Sequence, residues 1–369
     1  MSTMLFSPYR MRDLALPNRI VVSPMGQYSA VRGNASDWHR VHLGHLSLSG
    51  SGLLIFEAAA VDPNGMISPH DLGIFNDENA HALEPIVAFC RKYGGAKLGM
   101  QLWHAGRKGS ATVPWKGQKA LSITDGGWAI YGASATPYPG RNIPVVLSVE
   151  AIDKVVGQFV SAARRADRLG IDLIEIHAAH GYLIHNFLSP LTNTRNDKYG
   201  GSLENRMRFG LEVFRAVRDV WPESRPIGVR ISASDFAEGG WDLDSSVEFS
   251  RALRALGCDY ITASSGGAVP EQKLNVYPGY QVPFAERIRR EAGISTMAVG
   301  LITEPRHAAE IVESGKADLV ALGRGMLYDP RWPWHAAVEL EEEFFYPKQY
   351  ERAHPSMRMG DFLKPTRGL

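Results

Sequence analysis

Cysteine is nearly missing from these 369 residues: Cys90 and Cys258 are the whole supply. Two thiols so far apart cannot build a four-cysteine zinc or iron–sulfur centre, and they make no disulfide framework. A reducing, cytoplasmic setting fits that usage. An excess of either charge is missing too. Forty Lys and Arg stand against 39 Asp and Glu, a formal net charge of +1. No basic stripe is interleaved with aromatics, which argues against nucleic acid as a partner. No run of about 18 apolar residues is present to span a membrane. The first residues, with Arg10, Arg12 and Asp13, hold no apolar core of a signal peptide. Internal repeats, a P-loop and a dinucleotide fingerprint are absent as well. Gly50-Ser51-Gly52 precedes a strand-like run instead of following one, and Ile55 stands where the third glycine belongs.

What is present is alternation. Short apolar runs at 19–25, 53–58, 97–103, 172–177, 226–231, 259–263, 295–299 and 318–322 are separated by longer helical patterns. That rhythm predicts βα units around a parallel sheet. Eight runs in a chain of this length predict an α/β fold, a (β/α)8 TIM barrel, in preference to a doubly wound open sheet. Gly200-Gly201-Ser202 ahead of Asn205-Arg206 predicts a turn and a Ser202 N-cap. Pro305 suits the first turn of the helix after strand seven. The segment 104–150, with Pro114, Pro137, Pro139 and Pro144, is too long for a plain βα connection and is expected to act as a lid. A barrel domain over 1–340 is expected to be followed by an irregular C-terminal arm, 341–369, reaching onto a neighbouring subunit.

The fourth strand ends in Ile174-Glu175-Ile176-His177-Ala178-Ala179-His180-Gly181-Tyr182. Side chains alternate along a strand, so Glu175 and His177 point into the barrel while Ile174 and Ile176 face the helices. By the same rule Gln101 and Trp103 share one face of strand three, and Arg230 points inward from strand five. A glutamine amide, a guanidinium and two imidazoles thus collect at C-terminal strand ends, the functional face of such a barrel. Strands seven and eight end in Gly300 and in Gly323-Arg324, where barrels of this kind hold phosphate. A flat ring with one phosphate, flavin mononucleotide, suits this rim. Gln101 meets its polar edge, Arg230 balances negative charge on the reduced ring, and Gly26 and Ala58 are small enough to lie against it.

Other chemistries fit less well. A His/His/Glu zinc site of a hydrolase could use Glu175, His177 and His180, but no further strand end offers a ligand and Arg230 would crowd a cation. A Schiff-base aldolase needs a lysine inside the barrel, and Lys97 and Lys108 are placed at the wrong end and in a loop. A non-catalytic FMN-binding sensor explains the flavin residues but gives Tyr182 and the lid no work. His39, His42 and His45 recur on one helix, where packing explains them better than metal binding. Met66 and Ile67, after strand two, are placed to touch a substrate.

These residues resemble the Old Yellow Enzyme family of flavin-dependent ene-reductases, in its thermophilic-like, xenobiotic-reductase-like branch. The likeness runs from about Leu5 to Arg352. It rests on Asn18-Arg19-Ile20 leading to Ser23-Pro24-Met25, on Gln101-Leu102-Trp103-His104-Ala105-Gly106-Arg107, and on His177 through Tyr182. Asn196 through Ser202, Arg230 through Asp235, and Gly323-Arg324 add to it. The resemblance implies a TIM barrel holding FMN, with NADPH (or NADH) as hydride donor and activated alkenes as substrates: enones, enals, maleimides and nitro compounds. It implies Ser23, Pro24, Met25, Gly26, Ala58 and Gln101 around the ring, Arg230 at its N1 side, and Gly300, Gly323 and Arg324 on the phosphate. His177 and His180 would bind the substrate oxygen, Tyr182 would give the proton, and Tyr28 and Trp103 would line the pocket. Arg352 would reach a neighbour's active site, in a homodimer or homotetramer. Two positions depart from that branch: Gly26 replaces its usual cysteine, and Trp103 its usual small residue.

Overall fold

The computed structural model describes residues 3–344 and 346–353. Eight parallel strands close into a barrel in chain order: Ile20–Val22, Leu53–Ala60, Lys97–Trp103, Leu173–Ala178, Ile227–Ser232, Tyr260–Ser264, Ser295–Ala298 and Leu319–Leu322. The eighth pairs with the first, Val320 opposite Ile20. All eight runs read from the sequence are barrel strands. The first is shorter than its 19–25 run. Ser23 still donates its N–H to the Leu322 carbonyl at 2.9 Å, but Pro24 has no N–H with which to continue.

Alternation places the side chains as expected. Ile174 and Ile176 join the large apolar layer between strands and helices, while Leu173 joins a second cluster inside the barrel. That inner cluster carries a feature the sequence reading missed. An antiparallel hairpin, Tyr9–Met11 with Leu14–Leu16, packs Met11 and Leu16 against Val21, Leu53, Leu173 and Tyr260. It seals the N-terminal end of the barrel. Its three-residue strands are too short to show a period. One layer up, Gly228 makes room for the Tyr260 ring; a Cβ at 228 would lie 2.1 Å from Tyr260 Cζ.

The insertion after strand three is built, not a bare loop. Between Trp103 and the helix Val149–Arg168 it holds three short turns of 3₁₀ helix and a parallel pair, Tyr131–Gly132 with Val145–Val146. A half-buried lysine and a buried arginine strap it down. Lys108 Nζ donates to the carbonyls of His180 (2.8 Å) and Gly267 (2.6 Å). Arg107 donates to the carbonyls of Thr136, Pro137 and Ala268. Ser202 caps the helix Leu203–Arg218 by accepting from the Asn205 N–H, and Pro305 opens the helix Pro305–Glu313.

His39 lies buried on the helix Asp37–Ser47, its Nδ1 accepting from the Ser36 N–H and its Nε2 lying 3.1 Å from Glu57 Oε1. It therefore packs the helix to strand two. Beyond the helix Trp332–Glu339, Tyr350 packs on Trp334, with Arg331 over both rings. Residues 354–369 of the expected arm lie outside the described residues. Among the described residues no helix is long and apolar enough to cross a membrane.

Candidate active site

Two adjoining cavities open at the C-terminal end of the strands. The larger, about 420 Å³, runs from Ser23, Pro24 and Met25 to Gly300, Gly323 and Arg324. The smaller, about 190 Å³, is walled by Gly26, Tyr28, Ala58, Gln101, Trp103, His177 and Tyr182. Pro24, His180 and Arg230 line both, so the two form one continuous site. The residues expected around the flavin and its substrate meet here, apart from Met66 and from Arg352. That residue is exposed on the turn Lys348–Ala353 and lines neither cavity of its own chain. Ile67 lines the smaller cavity; Met66 packs behind it with Trp103.

A backbone hydrogen bond fixes the tautomer of His177. His177 Nδ1 accepts from the Ala179 N–H at 3.1 Å, so its proton is on Nε2. That nitrogen lies 3.2 Å from His180 Nδ1, and His180 Nε2 lies 2.7 Å from Ser264 Oγ. An oxygen set to one side of the line joining the two nitrogens, within hydrogen-bond reach of both, receives an N–H from each once His180 carries its proton on Nδ1. Ser264 permits that form, because its hydroxyl can rotate to donate to His180 Nε2. Burial first, then the Arg230 charge, push both imidazoles well below the usual histidine range. They are neutral donors at neutral pH.

The Tyr182 ring stands edge-on to Trp103 at 4.7 Å and to His177 at 5.0 Å. Burial raises its phenol above the usual range, so it holds its proton. Tyr28 is pushed up to about 12, by burial first and then by Asp71 and Glu57. Three non-glycine residues of this site have left-handed backbone: Tyr28 (φ 50°), His180 (φ 58°) and Leu301 (φ 51°). Such strain collects where surrounding structure overrides local preference. At His180 the restraint is visible: its N–H donates to Ser232 Oγ at 2.8 Å, and its carbonyl accepts from Lys108.

Arg230 is pinned through Nη1 to Ser23 Oγ at 3.4 Å, and its Nε is buried with no protein partner. Gly300 has φ 117°, and a Cβ there would lie 2.9 Å from Gln281 Nε2, so only glycine fits. Gly26 differs. A Cβ there would meet Tyr28 Cε2 at 3.6 Å, ordinary contact, so packing does not demand the glycine. Among the described residues no three His, Cys, Asp or Glu side chains are placed to hold a metal ion.

Sequence reading missed Lys108 as part of this site, and also Ser264, Ser232, Glu57 and Asp71. Asp71 lines the smaller cavity while accepting from the Ile67 N–H and Ser68 Oγ, both at 2.6 Å. Alternation could have found Ser264 and Ser232, inward residues at strand ends. Nothing local marks Lys108 or Asp71, whose partners are set by loop conformation.

Comparison with known proteins agrees with this fold. Residues 4–343 match the NADH:flavin oxidoreductase / NADH oxidase family. The NADPH dehydrogenase of Geobacillus thermodenitrificans is 47% identical over 355 residues, covering 95% of this chain and 99% of that protein. That of Listeria monocytogenes serotype 4a is 46% identical over 352 residues, 95% of this chain and 98% of the other. Among solved structures, morphinone reductase superposes with a TM-score of 0.77 at 26% identity, covering 97% of this chain and 93% of that one. The old yellow enzyme homologue of Zymomonas mobilis shares the fold, with a TM-score of 0.76 at 24% identity over 93% of this chain and 94% of its own. The chain belongs to the NADH:flavin oxidoreductase / NADH oxidase family and is an FMN-dependent NAD(P)H oxidoreductase of the Old Yellow Enzyme type.

Proposed function

We propose that the chain reduces the activated C=C bond of α,β-unsaturated ketones, aldehydes, maleimides or nitro compounds at the expense of NADPH, with NADH as the alternative donor. The observation that carries this reading is one cavity end holding two neutral imidazoles and a protonated tyrosine beside the walls that suit a flavin.

The residues present fit FMN. The orphaned Arg230 Nε gives a buried donor where the ring's N1 edge would lie. Pro24, Gly26, Ala58 and Gln101 line the smaller cavity and would lie along the ring. Ser23, Met25, Gly300, Gly323 and Arg324 line the larger one, where the last three would hold the phosphate. When bound, FMN supplies a carrier that accepts hydride from the nicotinamide and passes it to the alkene.

The chain's own residues do the rest. His177 and His180 donate to the substrate oxygen as negative charge grows on it, an oxyanion-hole effect that needs no cationic imidazole. Tyr182 OH delivers the proton to the carbon next to the activating group. Tyr28 and Trp103 shape the pocket, and the insertion 104–150 covers it. Arg352, exposed on its turn, is the residue of this reading that acts on a neighbouring protomer's pocket. The unit 1–340 binds FMN and 341–369 serves as the arm between subunits.

An anaerobic experiment tests the reading. The purified protein should be yellow, bleach with NADPH, and regain colour on adding cyclohexenone. A protein that is bleached by NADPH yet passes no electrons to any enone is an FMN-binding sensor instead. Arg352→Ala should weaken binding of a phenolic ligand at unchanged FMN content; unchanged binding removes Arg352 from the site.

A further inference from the structure

Glu175 has the position of a catalytic group without its access. It lies two residues before His177, is fully buried, and lines neither cavity. Its Oε1 accepts from Gln101 Nε2 at 2.7 Å, and its Oε2 accepts from Thr262 Oγ1 at 2.5 Å. Strand register brings the set together: Gln101 stands opposite Glu175, His177 opposite Arg230, and Arg230 opposite Thr262. Arg230 and Tyr260 are the charged and titratable groups that face it. Burial leaves the Glu175 carboxyl above its usual range, and the Arg230 guanidinium with the Thr262 and Gln101 donors acts against that rise, in favour of the ionised form.

A carboxylate can only accept hydrogen bonds. The head of the Gln101 amide that meets Glu175 is therefore its NH₂, which leaves the carbonyl oxygen to face the cavity that Gln101 lines. An acceptor there selects an N–H on the edge of a bound ring. A glutamine free to flip would present either head. The second consequence is electrostatic. A charge in a dry interior is little screened, so it offsets part of the field that Arg230 projects into the cavity.

We propose that Glu175 is a positioning residue for the flavin: it sets which head of Gln101 meets the ring, and its charge sets, against Arg230, the balance between oxidised and reduced cofactor. This rests on the reading above that the ring lies between Gln101 and Arg230.

The test uses the full chain. Fluorescence titration of the apoprotein gives the affinity for oxidised FMN, and equilibration of the holoenzyme with a reference dye gives the two-electron potential. Glu175→Gln keeps an acceptor for Gln101 and removes the charge. Reduced FMN should then gain about tenfold over oxidised FMN, a rise of about 30 mV. Its affinity for oxidised FMN should stay near that of the wild type. Glu175→Asp keeps the charge and withdraws it from Gln101. Its affinity for oxidised FMN should fall by about tenfold, the effect of one lost charge-assisted hydrogen bond, with the potential unmoved. An unmoved potential in the first variant overturns the charge role; an unmoved affinity in the second overturns the tether. If Glu175→Gln does not fold, Thr262→Val replaces it. Losing a donor favours the neutral carboxyl, so the potential should rise in the same direction, and no rise overturns the charge role. Gln101→Leu separates this proposal from the reading beneath it. If that variant binds FMN like the wild type, the ring does not lie at Gln101 and the underlying reading fails. If it binds weakly while both Glu175 variants match the wild type, the Glu175 proposal fails alone.

Discussion

Tyr182 keeps its proton because burial outweighs the opposing pull of Arg230 and Arg141. A phenol so held is a weak acid for bulk water but a sound donor to a carbanion formed beside it. Tyr182→Phe should therefore slow reoxidation by an enone by about 10²–10⁴-fold, the usual worth of a positioned acid. Reduction by NADPH should stay within about twofold, because no proton from the tyrosine enters that half. Stopped-flow absorbance of the two half-reactions separates them, and equal slowing in both would remove Tyr182 as the donor. His177 was legible in the sequence because a strand's two-residue period assigns faces without any tertiary knowledge, whereas His180 and Tyr182 lie past the strand's last residue, Ala178, and took their roles from the family resemblance. Ser264 was legible in principle and passed over. It ends the sixth strand with an ordinary residue type, and its role appears only from its 2.7 Å approach to His180. At Gly26 the space accepts a Cβ, so the surrounding protein does not demand the glycine.

Between elements, the least expected contact is the Lys108 strap. Burial, then Arg107 and Arg141, push its ammonium down to about 7, and it holds two backbone carbonyls without a carboxylate. The sign of the linkage follows. From about pH 7 upward the folded chain has released this proton, whereas the unfolded chain keeps it until about pH 10.4. The unfolded state then binds more protons, so this group makes stability rise with pH across that interval. Lys108→Met should flatten the rise in melting temperature between pH 7 and 10; an identical slope would show that Lys108 does not titrate there. The strand–helix alternation was readable because apolar runs recur between helical patterns, even where the strand itself is as short as Ile20–Val22. The hairpin Tyr9–Met11/Leu14–Leu16 and the pair Tyr131–Gly132/Val145–Val146 are two or three residues per strand. Their existence depends on what they cover, which no local window contains.

At the scale of the whole molecule, several histidines are folded in neutral form. His42 and His104 are pushed down to about 4 by burial, and His177 and His180 lie well below their usual range. Each has a lowered folded pKa, so the unfolded chain takes up more protons as pH falls from about 6.5 toward 4. The melting temperature should drop across that window before most carboxylates titrate. His42 is the most accessible of the four to test: His42→Gln should reduce the drop, and a curve superimposable on the wild type would count against it. The barrel itself was predictable from eight spaced runs, but its closed bottom was not. That closure has a kinetic meaning. With the hairpin and Tyr260 packed into one end, both cavities open at the other, and under the proposed function nicotinamide and alkene would take turns there. Each is then an obstruction to the other's visit. Double-reciprocal plots at several fixed enone concentrations should run parallel, and excess enone should inhibit by competing with NADPH; intersecting lines would mean that both occupy the site together.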